Sequence, residues 1–424
     1  CACLVGSEMC IRDRYTNSNS SFELRDGKMD RLQQSTENGL GLNLYVDGRF
    51  GSFSTNRLDK KELETLITNG IESTRYLAVD ESRMLADPAR YYKGGKPDLQ
   101  LFDKKLYEVN PDDKVAIARA AAEEVLGKDE RIISVDSSYS DGEGSSYRLI
   151  SNGFEGESKS TWFSVSASVS IKGEGEARPQ DYWYDSALFY DKLTKTGIGA
   201  KALERVLRKL GQKKAKSGKY TMVVDPMNVG NLLSPMLSAL YGSALQQKNS
   251  FLMDKLDTKV ASDLFTLRDE PHAIGANGSR YFDNEGVATE PRTVFDKGVL
   301  KTYFIDTYNG KKMDIAPTIS APSRLILTLG DKDLNGLVAD IKQGILVTGF
   351  NGGNSNSSTG DFSYGIEGFL IEDGKLTQPV NEMNVTGNMV TLWNSLVAVG
   401  NDPQPNRSWQ IPSLVFEGVD FSGL

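Results

Sequence analysis

Proton transfer, activation of a nucleophile and zinc ligation at neutral pH draw first on histidine, and this chain of 424 residues has one. It is His272, in the run Arg268-Asp269-Glu270-Pro271-His272. An imidazole beside carboxylates has the chemistry of a general base. It equally has the setting of a surface-loop residue paired with Glu270. Base catalysis needs an identified nucleophile, and none stands out, so the structural reading of His272 is the stronger. Nor can one histidine build a zinc site that requires two histidines and a glutamate. Carboxylates such as Asp283, Glu285, Asp361 and Glu367 are too common to nominate an acid–base pair without geometry.

Four stretches carry a wider signal. They are Ser250-Phe251-Leu252-Met253-Asp254, Phe282-Asp283-Asn284-Glu285-Gly286-Val287, Thr359-Gly360-Asp361-Phe362-Ser363-Tyr364-Gly365 and Val399-Gly400-Asn401-Asp402. In this order and spacing, over roughly residues 22 to 420, the chain resembles the TldD/PmbA family, once called modulators of DNA gyrase. Catalytic members of that family carry H-E-x-x-x-H soon after an apolar strand. Here the strand is Tyr220-Thr221-Met222-Val223-Val224, followed by Asp225-Pro226-Met227-Asn228-Val229-Gly230-Asn231. The resemblance puts Pro226 and Asn231 at the histidine positions and Met227 at the glutamate. Proline has no side-chain donor, methionine is no general base and an amide is a poor zinc donor. A slip of a residue or two does not help, since the nearest histidine is His272. The family's further cysteine ligand has no counterpart after Gly400.

The resemblance is therefore to the PmbA/TldE side of the family, which lacks the zinc motif. It implies no catalytic residue, metal or cofactor in this chain. Zinc and glutamate would come from a TldD-like catalytic subunit, in a cytoplasmic heterodimer with a shielded chamber. The substrates implied are unfolded or extended peptides, including precursors of peptide antibiotics and antitoxins. Two other classes stay open: a stand-alone homodimeric binding protein, and a metal-independent hydrolase acting through His272.

Three further features have a plain and a sharper reading. The polar glycine-rich stretch Gly349 to Gly365, with Gly352, Gly353, Thr359, Gly360 and Asp361, is either ordinary loop chemistry or a set of backbone donors for a substrate strand or partner. Lys192 to Lys219 holds ten lysines and arginines against Glu204 alone. It reads as a solvated helix and loop, or as a dock for an acidic partner; without interleaved aromatics, nucleic acid is disfavoured. Trp162, Trp183 and Trp393 read as core or interface aromatics.

Those residues must be positioned by a folded chain, and the composition allows one. Apolar residues make up 39% and charged residues 25%, which fits a globular core. A net charge of −8 argues against a whole-protein nucleic-acid or anionic-membrane binder. No apolar run approaches the ~20 residues that cross a bilayer. All three cysteines, Cys1, Cys3 and Cys10, lie in the first ten residues. The segment Leu4 to Asp13, LVGSEMCIRD, back-translates to a transposon-end sequencing adaptor. Residues 1–13 are accordingly expected to be translated adaptor outside the fold, ahead of a truncated first domain. A metal-binding or lipoprotein-like start is the poorer reading, because no apolar segment precedes the cysteines and no histidine accompanies them.

The pattern is that of an α+β chain: strand-rich N-terminal α/β domains, then a large β-rich C-terminal domain. An N-terminal domain spans 14–85. Asp26-Gly27 and Asp47-Gly48 mark its hairpins, and Asp59 with Glu62 forms a capping box before Leu63, Leu66, Ile67 and Ile71. Residues 86–108, rich in Pro, Gly and Lys, read as a linker. The central domain, 109–216, opens on a helix at Asn110-Pro111, has strands at 131–139, 146–152 and 161–172, and a second helix at 197–210. The C-terminal domain, 220–424, reads as mostly strand, with turns at Asp296-Lys297-Gly298 and Glu372-Asp373-Gly374 and one helix at 333–343.

Overall fold

The computed structural model describes residues 9–424. Cys1, Cys3 and the first eight residues of the segment read as adaptor lie outside the described residues. Met9–Asp13 do not behave as a segment outside the fold: they begin β1 (Met9–Arg25). Cys10 is buried beneath the first helix, and Asp13 is ion-paired with Arg148.

β1, β2 (Lys28–Val46) and β3 (Arg49–Thr55) form a meander. Its two turns have Asp26 and Gly27 at φ 51° and 75°, and Asp47 and Gly48 at 49° and 72°. Both central residues are left-handed, the conformation that two-residue hairpins require and that Asp-Gly supplies. α1 (Lys60–Thr74) starts where Asp59 accepts from the Glu62 amide at 3.1 Å. α2 (Pro111–Glu123) starts where Asn110 accepts from the Asp113 amide at 2.9 Å. β4 (Ile132–Ile150), β5 (Phe154–Ile171), β6 (Gln180–Ala187) and α3 (Ile198–Leu207) follow.

These six strands make one antiparallel sheet, ordered β3-β2-β1-β4-β5-β6. The N-terminal and central units therefore share a sheet, joined where β1 pairs with β4 from Ile11↔Ile150 to Arg25↔Asp136. Alternation fixes its faces. Phe163, Val165, Ala167, Val169 and Ile171 of β5 point at α2 and α3, with Ala121, Ala122, Ala202 and Val206 between them. The two helices touch so closely that a Cβ on Gly199 would meet the Ala121 carbonyl. The Glu124 carboxylate fills the exposed start of α3, accepting from the amides of Gly197 (2.6 Å), Gly199 (2.8 Å) and Ala200 (3.1 Å). At the other end of the sheet, Ile11, Ile150 and Phe154 enter the core of the C-terminal domain.

Two sequence expectations change here. The strands placed at 131–139 and 146–152 are one strand, β4, continuous through Asp141-Gly142-Glu143-Gly144. The polar run that suggested a break pairs normally with β1 and β5. Residues 86–108 are not a solvated linker. Ala86, Tyr91 and Leu99 are buried, and the Tyr91 hydroxyl donates to Asn152 at 2.6 Å, so the segment straps the two halves together.

The C-terminal domain opens with β7 (Gly218–Val224), α4 (Gly230–Ser238) and α5 (Gly242–Gln246). A smaller sheet uses β8 (Leu267–Asp269), β9 (Arg292–Asp296), β10 (Val299–Leu300) and, after α6 (Thr307–Met313), β11 (Leu325–Leu327). α7 (Leu334–Ala339) precedes the long strands β12 (Gln343–Ser355), β13 (Asp361–Glu372) and β14 (Lys375–Asn388). α8 (Met389–Asn394), β15 (Leu396–Val399), β16 (Trp409–Gln410) and β17 (Leu414–Ser422) complete it, with β16 joining the smaller sheet beside β11. The larger sheet runs β14-β13-β12-β7-β17-β15, and β14 also pairs with β17 through Asn384–Thr386, so it curls over its core. Trp393 sits fully buried between Phe265 and Phe416, with ring centroids 4.4 and 5.6 Å away. Trp162, by contrast, is 39% exposed.

The reading of this domain as strand with one helix missed α4, α5, α6 and α8. The sequence of α4, GNLLSPMLS, starts on glycine, contains Pro235 and buries Leu232, Leu233, Met236 and Leu237. Breakers and a near-continuous apolar run hide a helical period.

Candidate functional site

β7 ends at Val224, in the middle of the curled sheet, and delivers the chain into the turn Asp225–Val229 and then α4. This is where the family resemblance places the zinc motif. Asp225 is buried, and it accepts from the Asn228 amide at 3.0 Å and the Asn228 side chain at 2.7 Å. The same Asn228 side chain donates to the Thr348 carbonyl of β12 at 2.8 Å, which stitches the turn to the sheet. Burial raises the Asp225 pKa, against the lowering effect of its bonds to Asn228.

Pro226 and Met227 are half-buried in this turn and Asn231 is exposed on the first turn of α4. The Asn231 amide donates back to the Asn228 carbonyl at 3.1 Å. The three positions thus present a ring without a donor, a thioether and an amide already engaged as a donor. Among the described residues, no group of three or more His, Cys, Asp or Glu side chains could hold a metal. The residues at this turn do not fit a zinc ion.

The stretch read as a polar loop is instead the outer half of a β-hairpin. Asn351–Ser355 belong to β12, Asp361 begins β13, and the reversal is confined to Asn356–Gly360. Gly352 and Gly353, at φ 78° and 94°, sit in the bulge between Phe350↔Ile366 and Gly353↔Tyr364. A Cβ at Gly353 would meet the Ser363 carbonyl. Asn388 clamps the tip, donating to the Thr359 carbonyl at 2.8 Å and to Asp361 at 3.0 Å. The Thr359 hydroxyl donates to Asp361 at 2.8 Å. Hydrogen bonds from Asn388 and Thr359 hold the Asp361 carboxyl below its usual range. Ser357 and Ser358 both donate to Asn249, at 2.7 and 2.6 Å. The tip is therefore a fixed, exposed shape whose own polar side chains are largely paired. Asp361 is an ionised anchor, not a free acid.

β12 connects the two places: the turn is held at Thr348 and the glycine bulge follows from Phe350. His272 is remote from both in the contacts it makes. Its Nε2 lies 3.1 Å from the Thr289 hydroxyl and 3.5 Å from Lys96, and its ring packs on Tyr281. The Thr289 hydroxyl donates to the Arg280 carbonyl at 2.5 Å. Burial, then Lys96, lowers the His272 pKa. Glu270, the partner named from sequence, bonds Arg268 at 2.7 Å instead.

Three family models cover the chain. Residues 15–74 match the PmbA/TldA metallopeptidase domain 1, residues 104–210 its central domain and residues 217–423 its C-terminal domain. The chain belongs to the PmbA/TldA metallopeptidase family. It is 28% identical to a metalloprotease PmbA homolog of Haemophilus influenzae, covering 96% of this chain and 90% of that protein. A crystal structure from Bacteroides thetaiotaomicron, described as a modulator of DNA gyrase, is 72% identical with a TM-score of 0.97, covering 99% of this chain and 95% of that one. TldE from Thermococcus kodakarensis shares the fold at a TM-score of 0.84 and 20% identity, covering 98% of this chain and 97% of that one. No helix among the described residues is long and apolar enough to cross a membrane.

Asp225, Asn228, Asn249 and Asn388, which hold the turn and the hairpin tip, were not singled out from the sequence. The Asp225-x-x-Asn228 spacing after an apolar strand is the turn signal that would have found the first two.

Proposed function

We propose that this chain is a non-catalytic, PmbA/TldE-type subunit of a cytoplasmic metalloprotease complex acting on unfolded or extended peptides. A TldD-like homologue would supply zinc and the glutamate that activates its bound water. The observation that carries the reading is the turn Pro226–Asn231: where the resemblance puts the family's motif, it offers no donor set for a metal. The fixed hairpin from Gly349 to Gly365 fits a chain that shapes a chamber or meets a partner, since a rigid exposed tip loses little entropy on docking. Among the described residues, His272 has a hydroxyl and an ammonium within hydrogen-bonding reach and no carboxylate bonded to its ring, which weighs against the hydrolase reading.

The test is co-expression with a homologue that carries H-E-x-x-x-H, assayed on an unfolded protein substrate. Cleavage that requires both chains is the expected result. Cleavage by this chain alone, abolished by His272→Ala, would establish the hydrolase. A homologue fully active without this chain would favour a free-standing homodimeric binding protein.

A further inference from the structure

A cavity of about 460 Å³ lies between the end of β6, the strap near Gln100 and the C-terminal domain. Lys192, Arg324 and Arg407 line it, together with Ile274, Asn277 and Gln410, and no Asp or Glu does. Three cations without an anion is a strong local imbalance in a chain of net charge −8.

Among the described residues, no carboxylate comes within 4 Å of Arg324 or Arg407. The Arg324 Nε is buried and has no hydrogen-bond partner. Glu270, whose charge acts on Arg324, has its carboxylate on Arg268 at 2.7 Å. Arg407 stacks over the Tyr184 ring at 4.6 Å and donates to its hydroxyl, a neutral acceptor. Both side chains are half-buried, and a guanidinium does not shed its proton in a protein, so partial burial without a counter-ion is a cost that a bound anion reduces. The surrounding amides brace the walls: Asn277 donates to the Asn406 carbonyl at 3.3 Å and Gln410 to the Arg407 carbonyl at 2.6 Å.

We propose that this cavity is an oxyanion-binding site, taking the carboxylate of a short peptide segment or a phosphate through Arg324 and Arg407, with Lys192 at its rim. Guanidinium forks match the paired oxygens of both groups. The oxyanion assignment stands on the cavity alone. The peptide as source rests on the proposed function, where a carboxylate pocket would hold the C-terminus or an acidic side chain of a substrate.

The experiment is calorimetric titration of the full chain at low ionic strength with three probes: inorganic phosphate, trialanine with a free C-terminus, and trialanine amide. Saturable binding of phosphate or the free acid at one site per chain is expected, with Arg324→Met and Arg407→Met each weakening it about tenfold or more. Arg324→Met should leave the thermal midpoint of the unliganded protein unchanged or raised, which separates lost binding from lost folding. The free acid binding where the amide does not identifies a peptide carboxylate. Phosphate binding alone upholds the site and removes the peptide source, leaving the proposed function to its own test. No saturable binding by any probe, or binding that both variants retain, overturns the proposal.

Discussion

Lys209, just past the end of α3, places its ammonium 2.7 Å from the Glu367 carboxylate of β13 and 3.2 Å from Asp181 of β6. Arg205 completes the cluster, 3.2 Å from Asp181. The helix of the central domain is thereby locked to the curled sheet of the C-terminal one. A Cβ on Gly349 would stand 2.7 Å from Glu367 Oε1, so the glycine leaves the carboxylate its place. All four side chains are more than four-fifths buried, which makes loss of one partner costly. Lys209→Met is expected to lower stability by about 2 kcal/mol, and Lys209→Met with Glu367→Gln by less than the sum of the single changes. Urea unfolding of the single and double variants measures both. A single-variant loss below about 0.5 kcal/mol would remove the lock from the account.

Met9–Asp13 belong to β1, with Cys10 1% exposed against Leu42 and Leu44. A chain beginning at Arg14 should therefore melt below one beginning at Met9, by about 1 °C for each kcal/mol lost in a chain of 424 residues. Equal midpoints would return these residues to the status of a segment outside the fold. The origin of residues 1–13 is a separate question, answered by resequencing the locus.

Because the chain has one histidine, its ring proton titrates without overlap in an NMR experiment. The midpoint should fall below 6.5, since burial and the Lys96 charge both disfavour the imidazolium. The linked stability has a definite sign. The unfolded chain takes up the proton first as pH drops, so the contribution is whole above about 6.5 and declines from there toward the folded pKa. His272→Gln should flatten that segment of the stability curve. A midpoint above 6.5 would mean a carboxylate partner that the geometry does not contain.

The short-range features of this fold were legible in the sequence because their causes are local. Asp26-Gly27, Asp47-Gly48, the Asp59 cap and Asn110-Pro111 each need a particular dihedral or side-chain acceptor within three residues. What escaped depends on distance. Polar Asp141–Gly144 looks like a break until β1 and β5 lie on both sides of it, and the tip at Asn356–Gly360 looks mobile until Asn249 and Asn388 close on it. Likewise Arg324 and Arg407 stand 83 positions apart in the sequence and meet only around a cavity. The absence of zinc donors at Pro226, Met227 and Asn231 was readable directly, because it concerns residue types.

That turn sets a further expectation. Purified protein, dialysed without chelator, should carry well under one zinc per chain by elemental analysis, and EDTA should leave its thermal midpoint unmoved. Ligand-dependent stability follows affinity, so a bound structural zinc would shift the midpoint by several degrees on removal. About one zinc per chain after dialysis would refute the reading of the site and reopen catalysis by this subunit.

Assembly is the last expectation. With a TldD-like homologue present, the chain should co-purify as a dimer, heteromeric in preference to homomeric, across an interface burying roughly 1,200 Å² or more. The basic segment 192–219 invites charge reversal as a test, but its members are not equivalent. Arg205 and Lys209 are inside the lock described above, and Arg208 lies over the Phe369 ring at 4.6 Å, so reversing them would damage the fold before it informed on docking. Lys213 and Lys216 are exposed in the loop before β7, and no carboxylate partner is seen for their side chains among the described residues. Reversal at exposed rim charges acts chiefly on association rate and salt dependence. Lys213→Glu with Lys216→Glu should therefore leave the melting midpoint unchanged and, if this segment faces an acidic partner, slow complex formation at low salt more than at high salt. Unchanged association at both salt concentrations would assign the segment to solvation. Two independently eluting monomers on co-expression, with the homologue's cleavage activity indifferent to this chain, would end the subunit reading itself.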